Sequence, residues 1–257
     1  MKVELLDYTD KPEKTVAMAA RNDYSDDWVA DVGYEAAMEP IDFDQGDYEW
    51  VEDNLAEPSW DDARTELEAK KKSLLEQLLD REHYGVFEHP SASFAINDVS
   101  RSLMAQLTRH RHMSFDVQSQ RYVDFEDKDI VVPETLRDSD EHLSRDAGLV
   151  DLDEDVRQEY RQRYDELMDD LTEFYGDAVE DGVPKEDARF ALPIGSPVNI
   201  VASGNLRSLM HVMNIRGKAN AQWEVRELAD EMNDELHEVA PITANYFEEN
   251  APFKLGL

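Results

Sequence analysis

The chain has 257 residues, of which 41% are apolar and 33% are charged, so it can bury a substantial core. Its 60 acidic and 26 basic residues give a net charge of −34, which opposes binding to nucleic acid or an anionic membrane surface. The chain has no cysteine, which excludes disulfides, thiolate metal sites and cysteine nucleophiles.

Hydrophobic periodicity and turn-forming residues divide the chain into helices and strands. In chain order we predict a strand over 2–6, a helix over 9–21, an acidic surface insertion over about 22–61, a helix over 61–83, a strand over 91–96, a helix over 100–108 capped by Ser100, a loop or irregular strand over 109–124, helices over 151–182 and 185–192, a strand over 196–203, a helix over 205–213 capped by Asn205, and helical structure over 219–249 that breaks or kinks near Pro241. Because helices and strands do not alternate regularly, we expect an α+β fold with a mixed β-sheet packed against long helices. We interpret residues 1–257 as a single domain.

The acidic composition favours a protein adapted to a salty cytoplasm over an ordinary acidic protein. Only 10 of the 26 basic residues are lysine, and the mean hydropathy of −0.67 coexists with periodic apolar segments. At 1 M salt the Debye length is only ~3 Å, so the self-repulsion of such a surface is largely screened. No run approaches the ~18 apolar residues of a membrane span, and residues 1–10 lack a secretory pattern, so we expect a cytoplasmic location.

Two stretches depart from this acidity. Residues 99–122 contain one acid, Asp116, and residues 189–223 contain none. The same stretches carry Arg101, Arg109, Arg111, Arg121, Arg189, Arg207, Arg216 and Lys218. A buried core would explain the missing acids but not seven arginines, which bury poorly without partners. We therefore predict anion-binding sites here, with arginine forks suited to phosphate. The chain lacks a Gly-x-Gly-x-x-Gly or Walker A sequence, so a dinucleotide would bind outside a Rossmann or P-loop fold.

Several blocks together resemble the flavin-dependent thymidylate synthases. Residues 109–119 have the sequence RHRHMSFDVQS, which resembles the family's Arg-His-Arg, seven residues, Ser signature, and Arg121 follows two positions later. Further similar blocks follow the family's order: HYGVFEH at 83–89, GVPKEDARFALP at 182–193, NLRSLM at 205–210, Ile215-Arg216, and AQWE at 221–224. The resemblance covers most of the chain from about residue 61 to 246, together with the first strand.

The resemblance implies a reductive methylation of dUMP to dTMP in a non-Rossmann fold. In this family 5,10-methylenetetrahydrofolate donates the one-carbon unit, FADH2 supplies the hydride, and NADPH re-reduces the flavin. This chemistry needs no cysteine nucleophile, which agrees with the composition. Family members form homotetramers whose active sites are built from several subunits, so we expect residues 109–122 and 189–216 to meet across chain interfaces.

The resemblance also implies roles for individual residues. Those matching the dUMP-binding positions are Gln106, Arg109, Ser119, Gln120, Arg121, Arg189 and Arg216. Those matching the FAD-binding positions are His83, Gly85, Arg109, His110, Arg111, Asn205, Arg207 and His211. Arg216 matches the catalytic arginine that binds the uracil edge and favours an ionised N3. If residues 109–111 are extended, Arg109 and Arg111 point the same way.

Some positions depart from the family pattern. Gly85 stands where many members carry a Ser or Thr that contacts FAD, so only its backbone could serve there. Val117 replaces a common Glu, His211 an occasional Asn, and Asn220 an occasional flavin-contacting His.

Other interpretations stay open for individual residues and for the whole chain. His83, His89, His110 and His112 lack metal-ligand spacing, so we expect no metal site. Glu88 is either a buried partner of an arginine or a functional residue, Ser119 could be only a turn hydroxyl, and Trp223, Met210 and Met213 are more typical of a core than of a flavin stack. A non-catalytic nucleotide- or phosphate-binding regulator would explain the arginines equally well. A phosphohydrolase would need a His and Asp cluster that these stretches lack.

Overall fold

A computed structural model describes residues 1–24, 26, 28–31, 33, 37–38, 60–126, 128–137 and 152–250, except for the side chains of 60–64 and 247–250. Its strands are β1 (Lys2–Tyr8), β2 (Ser91–Ser100), β3 (Ser114–Val117) and β4 (Pro197–Asn205). Its α-helices are α1 (Pro12–Tyr24), α2 (Trp60–Asp80), α3 (Arg101–Leu107), α4 (Glu154–Glu180), α5 (Lys185–Ala188), α6 (Leu206–Arg216), α7 (Trp223–His237) and α8 (Pro241–Asn250). Short 3₁₀ helices lie at Tyr84–Glu88, Glu134–Leu136 and Arg189–Ala191.

The four described strands form one sheet in the order β1-β2-β4-β3. All three pairings are antiparallel, although we expected a mixed sheet, and the α+β class is confirmed. The central pairing aligns Ser91 with Asn205 and Ser100 with Pro197, so β2 and β4 match along nearly their whole length. Strand β3 adds to the other edge of β4, with Ser114 opposite Ser203.

One main hydrophobic core joins the sheet to most of the helices. Alternating residues of β2 and β4 enter it, among them Phe94, Ile96 and Ile200, as a half-buried strand requires. The contributing residues of α2 are Leu74, Leu75, Leu78 and Leu79, whose spacing places them on one helical face. A smaller cluster of Phe125, Tyr175 and Ala188 joins α4 and α5 to the loop after β3.

Most predicted elements are confirmed, with shifts of a few residues at their ends. Ser100 and Asn205 are helix N-caps, since their side chains accept hydrogen bonds from the N–H groups of Leu103 and Ser208 at 3.0 and 2.9 Å. The predicted break near Pro241 separates α7 from α8. The segment 109–124 contains β3 between turns. The acidic insertion over 22–61 lies mostly outside the described residues and stays a prediction, as does its role.

Helices α2 and α4 end in the same hydrogen-bonding pattern. After α4, Gly182 N–H donates to Val179 and Val183 N–H donates to Ala178, while Gly182 adopts a φ of 95°. This is a Schellman motif, which needs a left-handed residue and usually uses glycine. After α2, Glu82 N–H donates to Leu79 and His83 N–H donates to Leu78, but here a glutamate adopts a φ of 59°.

A buried carboxylate connects the start of α3 to the start of α7. Glu224, only 2% exposed, accepts hydrogen bonds from the backbone N–H of Ser100 at 2.6 Å and from the Ser100 hydroxyl. The Ser100 oxygen in turn caps α3. Because α3 leads directly to Arg109 and α7 follows Arg216, this contact holds together the two segments that carry the predicted site residues.

We predict that Glu224→Ala lowers the free energy of unfolding by about 3 kcal/mol, because it leaves the buried Ser100 donors without an acceptor. Glu227→Ala is the matched control on the exposed face of the same helix and should change stability by less than about 0.5 kcal/mol. Denaturant unfolding in molar KCl measures both. Equal stability of the two variants would contradict the anchoring role of Glu224.

Candidate active site

An open cleft of about 1050 Å³ lies where the 109–113 segment meets the start of α6. It is lined by Glu82, Tyr84, Glu88, Arg109, His110, Arg111, His112, Met113, Asn205, Arg207, Ser208, His211, Ile215 and Arg216. Its size is at the upper end of the ~300–1,000 Å³ range of ligand pockets. The cleft therefore has room for a ligand of nucleotide size or larger.

Four guanidinium groups line this cleft: those of Arg109, Arg111, Arg207 and Arg216. Arg207 forms an ion pair with Glu88 across the cleft wall. Within the described residues, no carboxylate forms an ion pair with the other three arginines. Cations gathered without counter-ions are suited to an anionic ligand such as a phosphate ester.

Arg216 is held in place by the segment that follows α3. Its Nε donates a hydrogen bond to His110 Nε2 at 3.0 Å, and its Nη2 donates to the backbone carbonyl of Gln106 at 3.0 Å. A guanidinium has five N–H donors, so several remain for a ligand. Burial, followed by the nearby positive charge of Arg109, lowers the pKa of Arg216.

His110 is neutral in this arrangement. Because Arg216 can only donate, His110 Nε2 must accept, which places the proton on Nδ1. Burial first, and then the positive charge of Arg216 and the neighbouring His211, lower the pKa of His110 to about 4. The ring of His211 meets that of His110 edge to face, with the centroids 5.6 Å apart. His211 also has a lowered pKa, caused first by burial.

The 109–111 segment is a turn within the predicted loop, not the extended backbone that would make Arg109 and Arg111 point the same way. Arg109, His110 and Met113 donate turn hydrogen bonds to Gln106, Leu107 and His110 respectively. The turn still places the exposed Arg109 and Arg111 on the cleft and buries His110 between them. Local hydrogen bonds after α3 therefore replace strand geometry as the reason why both arginines reach one cavity.

Seven of the predicted site residues thus line one cleft: Arg109, His110, Arg111, Asn205, Arg207, His211 and Arg216. His83 and Gly85 lie beside it but are not among its lining residues. His83 stacks on Tyr24, with ring centroids 5.9 Å apart and Nδ1 2.5 Å from the tyrosine hydroxyl. Gly85 is exposed, and a Cβ there would meet no atom within 4 Å, so space does not require glycine.

The remaining predicted dUMP ligands lie apart from the cleft lining. Gln106 extends its amide towards Ser102 and Gln222, at 3.4 Å from each acceptor. Ser119 Oγ accepts the N–H of Arg121 at 3.3 Å, which is turn geometry. Arg121 forms an ion pair with Glu186 at 2.8 Å, and Arg189 Nε donates to the Glu186 carbonyl at 3.1 Å. Glu186 therefore links two predicted phosphate ligands from segments far apart in sequence.

The predicted dUMP ligands around Glu186, namely Ser119, Gln120, Arg121 and Arg189, form a second group apart from the cleft. Two observations support a ligand site at this second group. Gln120 is only 5% exposed, yet its Nε2 has no hydrogen-bond partner, so a buried donor there lacks an acceptor. Burial and the nearby charge of Arg189 lower the pKa of Arg101. Within the part of the chain that the structure describes, no group accepts a hydrogen bond from Gln120 Nε2, and no carboxylate forms an ion pair with Arg101.

Several residues at the cleft were not predicted from the sequence, and others agree with the predictions only in part. Glu82, Tyr84, His112, Ser208 and Ile215 line the cleft but were not predicted as site residues. Glu88 pairs with an arginine, as one interpretation held, but its side chain is half exposed rather than buried. Met210 and Met213 are core residues, whereas Trp223 is half-buried and carries the guanidinium of Arg137 over its ring at 4.3 Å.

No group of three His, Asp or Glu side chains in the described ranges is placed to hold a metal ion, so the expectation of no metal site stays a prediction. Among the same residues, no helix is long and apolar enough to cross a membrane.

Comparison with known proteins identifies the family of this chain. The family model described as thymidylate synthase complementing protein matches residues 4–242. A protein of Halobacterium salinarum named flavin-dependent thymidylate synthase is 43% identical, with 96% of this chain and 95% of the relative covered. The chain belongs to this family. A relative of the same name from Haloarcula marismortui is 42% identical (97% and 96% covered), and one from Geobacter sulfurreducens is 34% identical (94% and 84% covered).

The cleft residues fit the flavin that gives the family its name. The arginines without carboxylate partners suit a pyrophosphate, and the neutral imidazoles of His110 and His211 can exchange hydrogen bonds with the carbonyl and N–H edge of a flavin ring. Asn205 begins the eleven-residue helix α6, whose free N–H groups add to the favourable field for an anion.

We predict that His110 stays uncharged down to about pH 4, well below the ordinary value of 6.5. Between those values the unfolded chain binds a proton that the folded chain refuses, so the free energy of unfolding falls as the pH drops from 6.5 towards 4. Above pH 6.5 this contribution is constant. Two-dimensional ¹H–¹⁵N spectra of ¹⁵N-histidine protein, assigned with His110→Gln, measure the titration.

The same spectra report the tautomer. A proton on Nδ1 is expected, because Nε2 accepts from Arg216. A His110 that titrates near 6.5, or that carries its proton on Nε2, would show that the Arg216 contact is absent in solution.

Proposed function

We propose that this protein methylates dUMP to dTMP, taking the one-carbon unit from 5,10-methylenetetrahydrofolate and the hydride from FADH2, with NADPH re-reducing the flavin. The observation that carries the proposal is the cleft itself. In a chain of this family, the cleft combines six of the eight predicted FAD ligands with Arg216, the predicted uracil ligand. The absence of cysteine is compatible with a reaction that needs no protein nucleophile. The proposal treats residues 1–257 as one catalytic domain acting in the cytoplasm.

In this proposal, Arg216 acts on the uracil through electrostatics. A fixed guanidinium beside N3 and its neighbouring carbonyl stabilises the ionised pyrimidine, which raises electron density at C5. The hydrogen bonds to His110 and the Gln106 carbonyl fix its orientation before the substrate arrives. Because His110 stays neutral, it accepts from Arg216 without adding charge that would repel the guanidinium. Bound FAD supplies the redox chemistry of the reaction.

The distribution of site residues supports a homotetramer with shared active sites. Arg121 and Arg189 lie together through Glu186, apart from the residues that line the cleft. Large apolar side chains beside them are exposed in the single chain: Tyr122 by 79%, Phe190 by 87% and Ile194 by 68%. Apolar side chains of this size are suited to an interface between subunits. A partner's second group could thereby complete the cleft of its neighbour.

The acidic composition of the chain supports the proposal of a halophilic enzyme. The similarity of the chain to proteins of Halobacterium and Haloarcula supports it too. A net charge of −34 strains an assembly of several copies at low ionic strength. Molar salt screens that repulsion while leaving the ion pairs of a closed active site less affected.

We predict that protein purified in molar KCl binds FAD, that NADPH bleaches the flavin absorbance, and that dTMP forms when dUMP and methylenetetrahydrofolate are added. Arg216→Ala should retain FAD binding but lower kcat at least about 100-fold, because an interaction with developing charge is lost. Visible spectra and product analysis measure these steps. Folded protein that takes up no added FAD would refute the synthase and leave a nucleotide-binding regulator as the better hypothesis.

Subunit mixing tests whether the two groups meet across chains. Arg216→Ala and Arg121→Ala should each be nearly inactive, but co-assembly of both should restore activity at about a quarter of the sites, as random pairing of half-sites requires. The matched control mixes Arg121→Ala with Arg189→Ala, whose defects fall in the same half-site and should not complement. Mixed tetramers without recovered activity would contradict shared active sites.

A further inference from the structure

Glu82 is a cleft-lining residue with an unusual backbone conformation. Its φ of 59° lies in the left-handed region, where a side chain with a Cβ costs about 1 kcal/mol relative to glycine. The equivalent position at the end of α4 is Gly182, so the chain uses glycine in this motif elsewhere. A strained non-glycine residue at a binding cleft points to a role for its side chain.

The surroundings of Glu82 do not provide a structural role for its carboxylate. The carboxylate forms no ion pair or side-chain hydrogen bond within the described residues, although four arginines line the same cleft. Glu88, the other carboxylate of the cleft, is paired with Arg207. The Glu82 carboxylate therefore neutralises no arginine in the described part of the chain. The two hydrogen bonds of the Schellman motif, from Glu82 N–H to Leu79 and from His83 N–H to Leu78, use only the backbone.

A carboxylate in an arginine-rich cleft can only accept hydrogen bonds, so it selects a ligand that carries donors beside its phosphates. The hydroxyl groups of a nucleotide sugar meet this requirement, since they lie within a few bonds of the phosphate. A carboxylate that binds sugar hydroxyls is an established element of dinucleotide recognition in other folds.

We propose that Glu82 accepts hydrogen bonds from sugar hydroxyl groups of the dinucleotide cofactor bound in the cleft. This inference rests on the proposed flavin-dependent function and adds to it a ligand contact outside the residues that the family resemblance marked. The side chain explains why glutamate stands where the backbone favours glycine: stability is lost to gain cofactor affinity.

The test uses Glu82→Gly and Glu82→Gln with titrations of FAD, FMN and ADP into the apoprotein in molar KCl, together with thermal unfolding without ligand. Glu82→Gly should raise the Tm by about 2–4 °C by relieving the backbone strain. It should also weaken FAD binding at least about tenfold by removing a charge-assisted acceptor. Glu82→Gln keeps the strain and one acceptor oxygen, so its Tm should stay unchanged and its Kd for FAD should rise about threefold or more.

The sign of the affinity change separates this contact from general electrostatics. Removing a negative charge from a cleft that binds an anion should tighten binding if charge alone mattered. Weaker binding in both variants therefore supports a direct hydrogen bond. FMN shares the ribityl chain with FAD, and ADP shares the adenosine ribose, so parallel losses identify which hydroxyl groups Glu82 contacts.

Asp98→Gly is the matched control. Asp98 also adopts a left-handed conformation, with a φ of 54°, but it lies at the far end of the β2–β4 pairing from Asn205. This variant should gain similar stability and bind FAD as the wild type does. If both Glu82 variants bind FAD as tightly as the wild type does, the proposed role of Glu82 is overturned but the proposed function is not. If the wild-type protein itself binds no flavin, both are overturned.

Discussion

The antiparallel pairing of β2 with β4 is the constraint on which the candidate site depends. These strands are about a hundred residues apart in sequence, yet they pair from Ser91 opposite Asn205 to Ser100 opposite Pro197. Strand β2 continues into α3 and the Arg109 turn, and β4 continues into α6. Since β3 returns to pair with β4, the segment between α3 and β3 is held beside the start of α6. Parts of the two basic stretches, residues 109–113 and 205–216, thus line one cleft.

Hydrogen bonds at the ends of these elements fix the positions of the site residues relative to the sheet. Glu224 ties the start of α3 to α7, and Arg216 at the end of α6 bonds back to His110 and the Gln106 carbonyl. One contact joins α3 to α7, and the other joins the end of α3 to α6. The orientation of the Arg216 guanidinium therefore depends on the packing of these three helices. A guanidinium that is already held by two hydrogen bonds loses less entropy when a ligand binds, and such preorganisation is a general way of stabilising a charged transition state.

The secondary structure could be predicted from local pattern because its causes are local. The spacing of leucines in α2, the caps at Ser100 and Asn205, and the stop at Gly182 are all visible within a few residues. The pairing partners of the strands were not predicted, because residues of one strand carry little information about a partner a hundred positions away. The segment 109–124 was predicted only as a loop or irregular strand, because polar residues without periodicity do not reveal turn hydrogen bonds such as those from 109–110 to α3.

The candidate site shows the same limit for different physical reasons. The missing acids and the retained arginines indicated where an anion would bind, because charge distribution can be read from the sequence. Neither composition nor spacing could show that Arg216 donates a hydrogen bond to His110, because that contact forms only when α6 packs against the turn after α3. Glu82 was indistinguishable from the many other acids of the chain, since a backbone angle has no signature in the identity of a glutamate.

The separation of Arg121 and Arg189 from the cleft follows from how one chain folds. Arg121 lies in the turns after β3, and Arg189 begins the 3₁₀ helix that follows α5, so both are positioned by the smaller core around Tyr175 rather than by the main one. The region beside this smaller core leaves Phe190 and Tyr122 exposed and does not line the cleft of its own chain. In the proposed assembly it can face the cleft of another copy, because a two-fold interface brings residue i of one subunit against a different residue j of its partner. A uniformly acidic surface would oppose contacts between copies, whereas residues 189–223 carry no acid and would not oppose the proposed assembly.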